Sequence, residues 1–260
     1  MRAAADAHYA PDMNKVRVGF FSFTEITDPA EHRAYNEWHM LDHMPEQYPI
    51  PGIVYGQRWV STPACRAERA VDEEPLAPVH YVTLYLMSDP IEPTLREFMD
   101  VGQQLRALGR FHLHRRAAVS GPHQWLDAHA APRVLVGAEA VPYRPNRGVY
   151  VIVEEPVDGA DPEAEDAWIR GLHEHWADAA CAVPGVAGVW QFATSPRLNA
   201  IVPTGNRRVT VCYLDDAPLD VAERLRPLLA QRWDGAPVRP VHAGPYETVV
   251  PYQWDWFDAE

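Results

Sequence analysis

The amino-acid sequence predicts an α+β protein in which two tandem halves repeat the same order of strands and helices. Three observations support this prediction. Two strand-like apolar runs are each followed by an Asp-Pro pair, and a Pro-Gly turn follows each pair at the same distance. Asp28 and Asp161 are 133 residues apart, as are Pro51 and Pro184. An internal repeat of this kind predicts two copies of one structural unit.

The first half, residues 15–125, contains six predicted elements in the order βαββαβ. Asp28 and Pro29 begin its first helix, as an N-cap followed by a proline at the first helical position. The loop between its second and third strands is longer than the matching loop of the other half. The six elements are expected near 16–23, 28–46, 53–59, 80–86, 93–108 and 111–119.

The second half, residues 147–260, repeats this order, with elements near 148–153, 161–179, 189–192, 209–214, 219–233 and 238–250. A βαββαβ unit is the ferredoxin-like split βαβ motif, whose helices cover one sheet face and leave the other for a second sheet. Two such halves are expected to supply both sheets of one barrel-like body. Residues 126–146, rich in proline and small residues, are the predicted linker, and residues 1–14 a loose N-terminal arm.

Acidic residues dominate the charge of the chain. The sequence has 36 Asp and Glu against 23 Lys and Arg, a formal net charge of −13. Such a surface repels phosphate backbones and anionic lipids, so we expect neither a nucleic-acid nor a membrane partner. No long apolar run and no signal-peptide pattern occurs, which predicts a cytoplasmic protein. Cys65, Cys181 and Cys212 lack metal-binding or disulfide spacing and are expected to be free thiols.

The helix that follows Asp28 concentrates titratable side chains. At helical periodicity, Tyr35, His39, Asp42 and His43 gather on one face beside the apolar stripe. This pattern predicts that His39 exchanges protons with a substrate, with its pKa tuned by burial and by Asp42. The alternative is that this face is solvated surface without a catalytic role.

The corresponding helix of the second half carries His173 and His175. When one gap is introduced to align the apolar stripes of the two helices, His39 falls on His173. This alignment predicts a histidine shared by both repeats. The sequence leaves open whether the second half has a working site.

His39 and His43 are four residues apart, a spacing that can place two imidazoles on one metal ion. Asp42 could add a carboxylate, and the strand residue His112 a third imidazole. The same spacing is common in helices that bind no metal. The preferred expectation is therefore that no cofactor is needed, with a divalent metal at His39 and His43 as the alternative.

Aromatic residues are candidates for binding a substrate. Their density suits a small, flat, aromatic or hydrophobic molecule, although such residues also form ordinary cores. An anionic group on the ligand is indicated only if Arg58 is buried. The run 252–257 alternates apolar and polar residues, and as an exposed edge it predicts a homodimer. The predicted substrate-binding residues are Trp38, Arg58, Trp59, Tyr85 and His112.

Residues 35–46, YNEWHMLDHMPE, followed by IPGI at 50–53, resemble the dimeric α/β-barrel superfamily and, within it, the EthD-like proteins. In those proteins a Trp-His pair on the first helix precedes a proline-glycine turn into the second strand. The second half departs from this motif, because GLH at 171–173 stands where the pair is expected. The resemblance therefore implies one competent site and one altered site in each chain.

The resemblance also implies chemistry on small aromatic or polyketide-like compounds, often without a cofactor: decarboxylation, dehydration, isomerisation or oxygenation. It makes His39 the acid–base residue, with Tyr35, Asp42 and His43 in supporting roles. Larger members of the superfamily bind haem through a histidine, so haem is an alternative cofactor.

These observations favour a lyase or isomerase in which His39 moves a proton on an aromatic or polyketide-like substrate. The first alternative is an oxygenase in the same cleft, either metal- or haem-dependent or free of cofactor. The second is a non-catalytic protein that binds a hydrophobic metabolite.

Overall fold

The computed structural model of the chain describes residues 14–159 and 161–258. The predicted N-terminal arm lies outside these residues except for Asn14. Within them, nine strands form one antiparallel sheet. The strands are β1 (Val16–Ile26), β2 (Ile53–Val60), β3 (Val71–Asp72), β4 (Tyr81–Ser88), β5 (Arg115–Ala130), β6 (Gly148–Pro156), β7 (Val186–Ala193), β8 (Arg208–Leu214) and β9 (Val238–Thr248).

Helices lie on the connections between these strands. Two connections contain a π-helical turn, at His39–His43 and at Leu172–Trp176. Asp28 and Asp161 accept hydrogen bonds from backbone N–H groups at 3.1 Å, as predicted for N-caps. The α-helices are α1 (His32–Trp38), α2 (Met44–Gln47), α3 (Pro63–Ala67), α4 (Ile91–Ala107), α5 (Pro162–Gly171), α6 (Ala177–Ala182), α7 (Pro196–Asn199) and α8 (Pro218–Trp233).

The two halves have the same strand order, β2-β4-β1-β5 in the first and β7-β8-β6-β9 in the second. β5 pairs with β7, and β9 pairs with β2, so eight strands close a barrel. β5 continues to Ala130, beyond the predicted end of the half at 125, because its last residues pair with β7. The predicted α+β barrel-like body is confirmed.

Side chains alternate between two sides of the sheet, so two kinds of core form. Phe21, Trp59, Trp190, Phe192 and Tyr213 fill the barrel interior and are each at most 1% exposed. The outer face of the sheet packs under the helices, in one apolar cluster in the second half and two in the first. A site that uses residues of the first helix therefore lies outside the barrel, between helices and sheet.

The two π-helical turns occupy equivalent positions. Their first residues, His39 and Leu172, are 133 residues apart, the same distance as between the two N-caps. No gap is therefore needed to align the first helices. The predicted pairing of His39 with His173 is wrong, because the counterpart of His39 is Leu172 and that of His43 is Trp176. Such turns are frequent at functional sites.

The segment after β9 folds back over α1. Trp254 and Phe257 are only 5% and 6% exposed, and they pack with Tyr35 and Tyr81 in one apolar cluster. The run 252–257 is thus not the exposed edge that the sequence predicted, because these aromatic rings are buried within their own chain. The homodimer stays a prediction. In the described part of the chain, no helix is long and apolar enough to span a bilayer.

Candidate active site

A cavity of ≈ 270 Å³ opens between the helices and the sheet of the first half. This volume is near the lower end of the range for small-molecule sites. Its wall combines apolar rings with imidazole, guanidinium and hydroxyl groups. The lining residues are His39, His43 and Gln47 of the first helical segment, Phe20, Ser22, Thr83, Tyr85, Arg115, Ala117 and Ser120 of the sheet, and Phe98, Met99, Gly102, Gln103, Arg106 and Phe111 of α4 and the loop after it.

His39 begins the π-helical turn and is 4% exposed. Its Nδ1 atom is buried and has no hydrogen-bond partner among the residues that the structure describes. Burial lowers the pKa of His39 well below its usual 6.5, and the neighbouring Arg58, His43 and Arg115 lower it further. The imidazole is therefore neutral at pH 7 and can accept a proton.

His43 ends the same turn and shares the cavity wall with His39, with the two ring centroids 5.2 Å apart. Trp38 stacks on His43 at a centroid distance of 4.7 Å, and its Nε1 donates a hydrogen bond to the carbonyl of Arg110 at 2.8 Å. Burial and the charge of Arg115 lower the pKa of His43 to about 4. Trp38 thus holds His43 in position from behind the cavity wall.

On β2, the side chains of Arg58 and Trp59 point to opposite sides of the sheet, because neighbouring side chains alternate along a strand. Arg58 is 2% exposed, and its guanidinium carbon lies 5.0 and 5.5 Å from the ring centres of Tyr35 and Tyr81. Trp59 points into the barrel, where its Nε1 donates to Oδ1 of Asn146 at 3.1 Å. As a correction to the sequence prediction, Trp59 is a core residue and does not face the cavity.

The hydroxyl groups of Tyr35 and Tyr85 lie buried near the two histidines. The Tyr35 ring is 5.6 Å from the His39 ring, and Tyr85 lines the cavity. Within the described residues, neither hydroxyl has a hydrogen-bond partner, and the same holds for Oγ1 of Thr83. Burial raises the pKa of Tyr85 far above 10, so its phenol stays protonated and can donate a hydrogen bond.

Asp42 and His112 lie at the edge of this site. The carboxylate of Asp42 accepts hydrogen bonds from Arg110. Asp42 is therefore part of a half-buried ion pair, and it is not among the groups that shift the pKa of His39, contrary to the expectation from helical periodicity. Nε2 of His112 lies 3.1 Å from a carboxylate oxygen of Glu31, and His112 is not among the lining residues.

Arg106, Phe111 and Arg115 are among the lining residues that were not predicted from the sequence. The guanidinium carbons of Arg106 and Arg115 each lie 4.6 Å from the centre of the Phe111 ring. The Arg115 guanidinium is also 5.4 Å from the ring of Trp38. None of the described residues that line the cavity carries a carboxylate. The cavity is therefore cationic, in a protein with a net charge of −13.

Gly102 leaves room for the cavity on the side of α4. A Cβ atom added at Gly102 would meet no atom within 4 Å. Because α4 and α8 begin 127 residues apart, the counterpart of Gly102 in the second half is Leu229. Leu229 is 2% exposed and belongs to the apolar cluster of that half. A glycine in the middle of a helix, unfavourable by itself, is the sequence signal that would have indicated this opening.

The equivalent region of the second half is filled. Leu172 and Trp176 stand at the positions of the two site histidines. Beneath Trp176 lies an ion pair between Arg232 and Glu154, whose side chains are both 0% exposed and whose closest atoms are 2.6 Å apart. The guanidinium carbon of Arg232 is 4.2 Å from the ring of Trp176. Of these two equivalent regions, the one in the first half is therefore the one with space for a ligand.

The chemistry of this site disfavours a metal ion. Among the described residues, no group of three or more His, Cys, Asp or Glu side chains could hold one. Arg58 and Arg115, which lower the pKa of His39, also repel a divalent cation at His39 and His43. Haem as a cofactor stays a prediction.

No protein-family model and no curated protein matches the sequence. Solved structures match in fold. An anthrone oxidase-like protein superposes with a TM-score of 0.52 and 13% identity, over 92% of this chain and 93% of its own. A monooxygenase candidate from Fusobacterium nucleatum has a TM-score of 0.51 and 9% identity, over 90% and 94% of the two chains.

A dye-decolorizing peroxidase from Bacteroides thetaiotaomicron has a TM-score of 0.51 and 8% identity, over 90% of this chain and 93% of its own. These likenesses concern the fold, since the identities are low. Each extends over nearly the whole chain, so both halves take part in it. Together with the closed barrel of two βαββαβ units, they show that this chain has the dimeric α/β-barrel fold, with both barrel halves in one polypeptide.

Proposed function

We propose that the chain is an enzyme that moves a proton on a small aromatic or hydrophobic molecule, with His39 as the acid–base residue. The observation that carries this proposal is the state of His39. It is a neutral imidazole that lines the cavity, and its Nδ1 is buried and has no hydrogen-bond partner among the described residues. A buried polar atom without a partner costs free energy, and a substrate group that completes the contact would offset this cost.

Enolisation, or a lyase reaction that begins with it, is the chemistry that fits these groups. The neutral imidazole of His39 takes a proton from a carbon next to a carbonyl, and the C–H electron pair moves to the carbonyl oxygen as an enolate. Arg58 and Arg115 stabilise the negative charge. The imidazolium then returns the proton to another carbon, which is isomerisation, or to a departing hydroxyl group, which is dehydration.

The rest of the wall supports an aromatic or hydrophobic substrate. Phe20 and Phe98 pack with ring centroids 4.8 Å apart and line the cavity together with Phe111. Aromatic rings offer flat contact area to another ring. The hydroxyl of Tyr85, protonated and without a partner in the described structure, is available to donate to the substrate carbonyl.

A second candidate is a cofactor-free oxygenase that uses the same base. It is favoured by the fold likeness to an anthrone oxidase-like protein and to a monooxygenase candidate. His39 would form the same enolate, whose carbon atom then reacts with dioxygen. An oxygenase consumes dioxygen during turnover, whereas an isomerase or a dehydratase does not. Measurement with an oxygen electrode separates the two candidates.

Hydrogen–deuterium exchange on 2-tetralone in D₂O tests the proposal, and the natural substrate need not be known for this experiment. The CH₂ group between the ring and the carbonyl of this probe is acidic, and NMR follows its exchange. We expect the protein to accelerate exchange, and His39→Gln to reduce the enzymatic rate by about 10²-fold or more.

His173→Gln is the matched control. His173 belongs to the second half, where its Nδ1 lies 3.3 Å from the carboxylate of Asp127, so this variant should keep the full rate. A His39→Gln protein that folds and retains the wild-type rate would refute the catalytic role. Binding of 2-tetralone without exchange would favour a non-catalytic binding protein instead.

A further inference from the structure

Arg58 is a buried cation without an anionic partner among the residues that the structure describes. It is 2% exposed, and its Nε, Nη1 and Nη2 atoms have no hydrogen-bond partner in the described parts of the chain. A guanidinium group stays charged at every relevant pH, and an unpaired charge inside a protein is strongly unfavourable. The rings of Tyr35 and Tyr81, at 5.0 and 5.5 Å, stabilise this charge only in part.

The second half shows a buried arginine of this chain that is paired with a carboxylate. Nε and Nη2 of Arg232 donate to the two carboxylate oxygens of Glu154 at 2.6 and 2.8 Å, and Nη2 also lies 3.0 Å from Oγ1 of Thr210. Thr210 is the counterpart of Thr83, which lines the cavity. In the second half, therefore, the protein supplies its own carboxylate near the position where the first half has a cavity.

Arg115 adds a second cation, in the cavity wall itself. Burial is the largest cause that lowers the pKa of Arg115. Its guanidinium carbon is 4.6 Å from the ring of Phe111, and within the described residues no carboxylate forms an ion pair with it. The nearby acids Asp42 and Glu46 are both bound to Arg110. The site thus has one buried cation, Arg58, and one half-buried cation, Arg115, and among the described residues neither forms an ion pair with an acid.

We propose that the natural ligand of this cavity is a small aromatic anion, whose carboxylate or phenolate oxygen binds to Arg115 and lies in the field of the buried Arg58. The aromatic ring of the ligand packs against the apolar wall, and the hydroxyl of Tyr85, which lines the cavity, supplies a further donor. This inference rests on the proposed function, because it names the substrate class of the same site. In a protein that is acidic overall, a cationic cavity concentrates anions at one place.

Binding of 1-naphthoate tests the inference, with 1-naphthamide as a neutral probe of nearly the same shape. Isothermal titration calorimetry should show that the full chain binds 1-naphthoate about tenfold more tightly, or better. Arg115→Gln should remove this preference. Arg96→Gln makes the same change in charge at a side chain of α4 that is 62% exposed, and it should keep the preference. Equal affinities of the wild-type protein for both probes would overturn the proposal.

The binding of 1-naphthol distinguishes the two sources of an anionic oxygen. A ligand that binds as a phenolate should bind more tightly as the pH rises and the hydroxyl ionises. A site built for a carboxylate should prefer 1-naphthoate over 1-naphthol throughout. Both results support an anionic ligand, and they identify its acidic group.

Thermal unfolding without ligand gives an independent readout. Because Arg58 has no acidic partner in the described structure, Arg58→Met should leave Tm unchanged or raise it. Arg232→Met removes the cation that is paired with the buried carboxylate of Glu154 and leaves Nε1 of Trp233 as its donor, at 2.8 Å. This variant should lower Tm by about 5 °C or more. An equally large decrease in Arg58→Met would make Arg58 a structural residue and would overturn its part in the proposal.

The binding and exchange experiments distinguish an error in the proposed anion site from an error in the proposed function. If 1-naphthoate is preferred but His39→Gln retains full exchange activity, the anion site stands and the catalytic role is refuted. If His39→Gln loses exchange activity while 1-naphthoate and 1-naphthamide bind equally well, the catalytic role stands and the anion site is refuted.

Discussion

The imidazole ring of His32 lies nearly parallel to the ring of Phe257, with centroids 3.7 Å apart and an angle of 15° between the planes. Nδ1 of the same histidine is 2.9 Å from the hydroxyl of Tyr81, which also accepts a hydrogen bond from Asn36. Since the Tyr81 ring contacts Arg58, the C-terminal segment supports the layer on which the site is built.

Phe257→Ala should lower the free energy of unfolding by about 3 kcal/mol, the usual cost of removing a buried aromatic ring. Urea unfolding followed by fluorescence measures this change. Tyr252→Ala is the control, because Tyr252 is 73% exposed and its truncation should have an effect within about 0.5 kcal/mol. Equal stabilities of the two variants would show that the C-terminal segment is not needed for the packing around α1.

The protein should lose stability as the pH falls from 6.5 towards 4. Burial and the charge of Arg66 lower the pKa of His32 to about 4, so below pH 6.5 the unfolded chain binds a proton that the folded protein does not. The stability is complete above pH 6.5 and decreases down to the folded pKa. His32→Asn should reduce the difference between the unfolding free energies at pH 7 and pH 5, and an unchanged difference would contradict this assignment.

Removing Arg58 should raise the pKa of His39, because the guanidinium charge helps to lower it. A general base is active above its pKa and loses activity as the pH falls through it. In Arg58→Met, this loss should therefore begin at higher pH. The pH profile of 2-tetralone exchange measures the shift, and NMR titration of the His39 ring gives it without a substrate. Arg96→Gln should leave both unchanged, and a profile of Arg58→Met that matches the wild type would argue against this coupling.

Gly102→Leu should fill the cavity and weaken the binding of 1-naphthoate by about tenfold or more. The added side chain enters open space, and leucine is favoured over glycine in a helix by up to about 1 kcal/mol, so the fold should not be weakened. Gly171→Leu is the control, since it also meets no atom within 4 Å but belongs to the second half. Unchanged affinity in Gly102→Leu would mean that the ligand binds elsewhere.

Much of the fold could be predicted because its signals are local. The N-cap aspartates, the Pro-Gly turns and the apolar strands recur at nearly constant distances, and the strand order of each half follows from the βαββαβ pattern. The alignment of His39 failed because a gap was introduced where the π-helical turns require none. The folding of residues 252–257 onto α1 depends on contacts distant in sequence, which local alternation does not reveal.

The site could be predicted only in part. Helical periodicity brought His39 and His43 together, and both line the cavity. Arg58 and Trp59 face opposite sides of the sheet because side chains alternate along a strand, and this difference could have been predicted. Arg115 could not, because it reaches the cavity from β5, and no local pattern connects that strand to the first helix. The catalytic roles of these residues stay predictions.

Because both halves of the barrel belong to one polypeptide, a substitution can alter one half and leave the other as it is. In a barrel made from two identical chains, two-fold symmetry places every substitution in both sites at once. Here Leu172, Trp176 and Leu229 fill one half while the other keeps its histidines and its glycine. Substitutions in the filled half can therefore increase rigidity, while substitutions in the open half can improve the chemistry. In a symmetric pair of chains, each substitution would affect both sites.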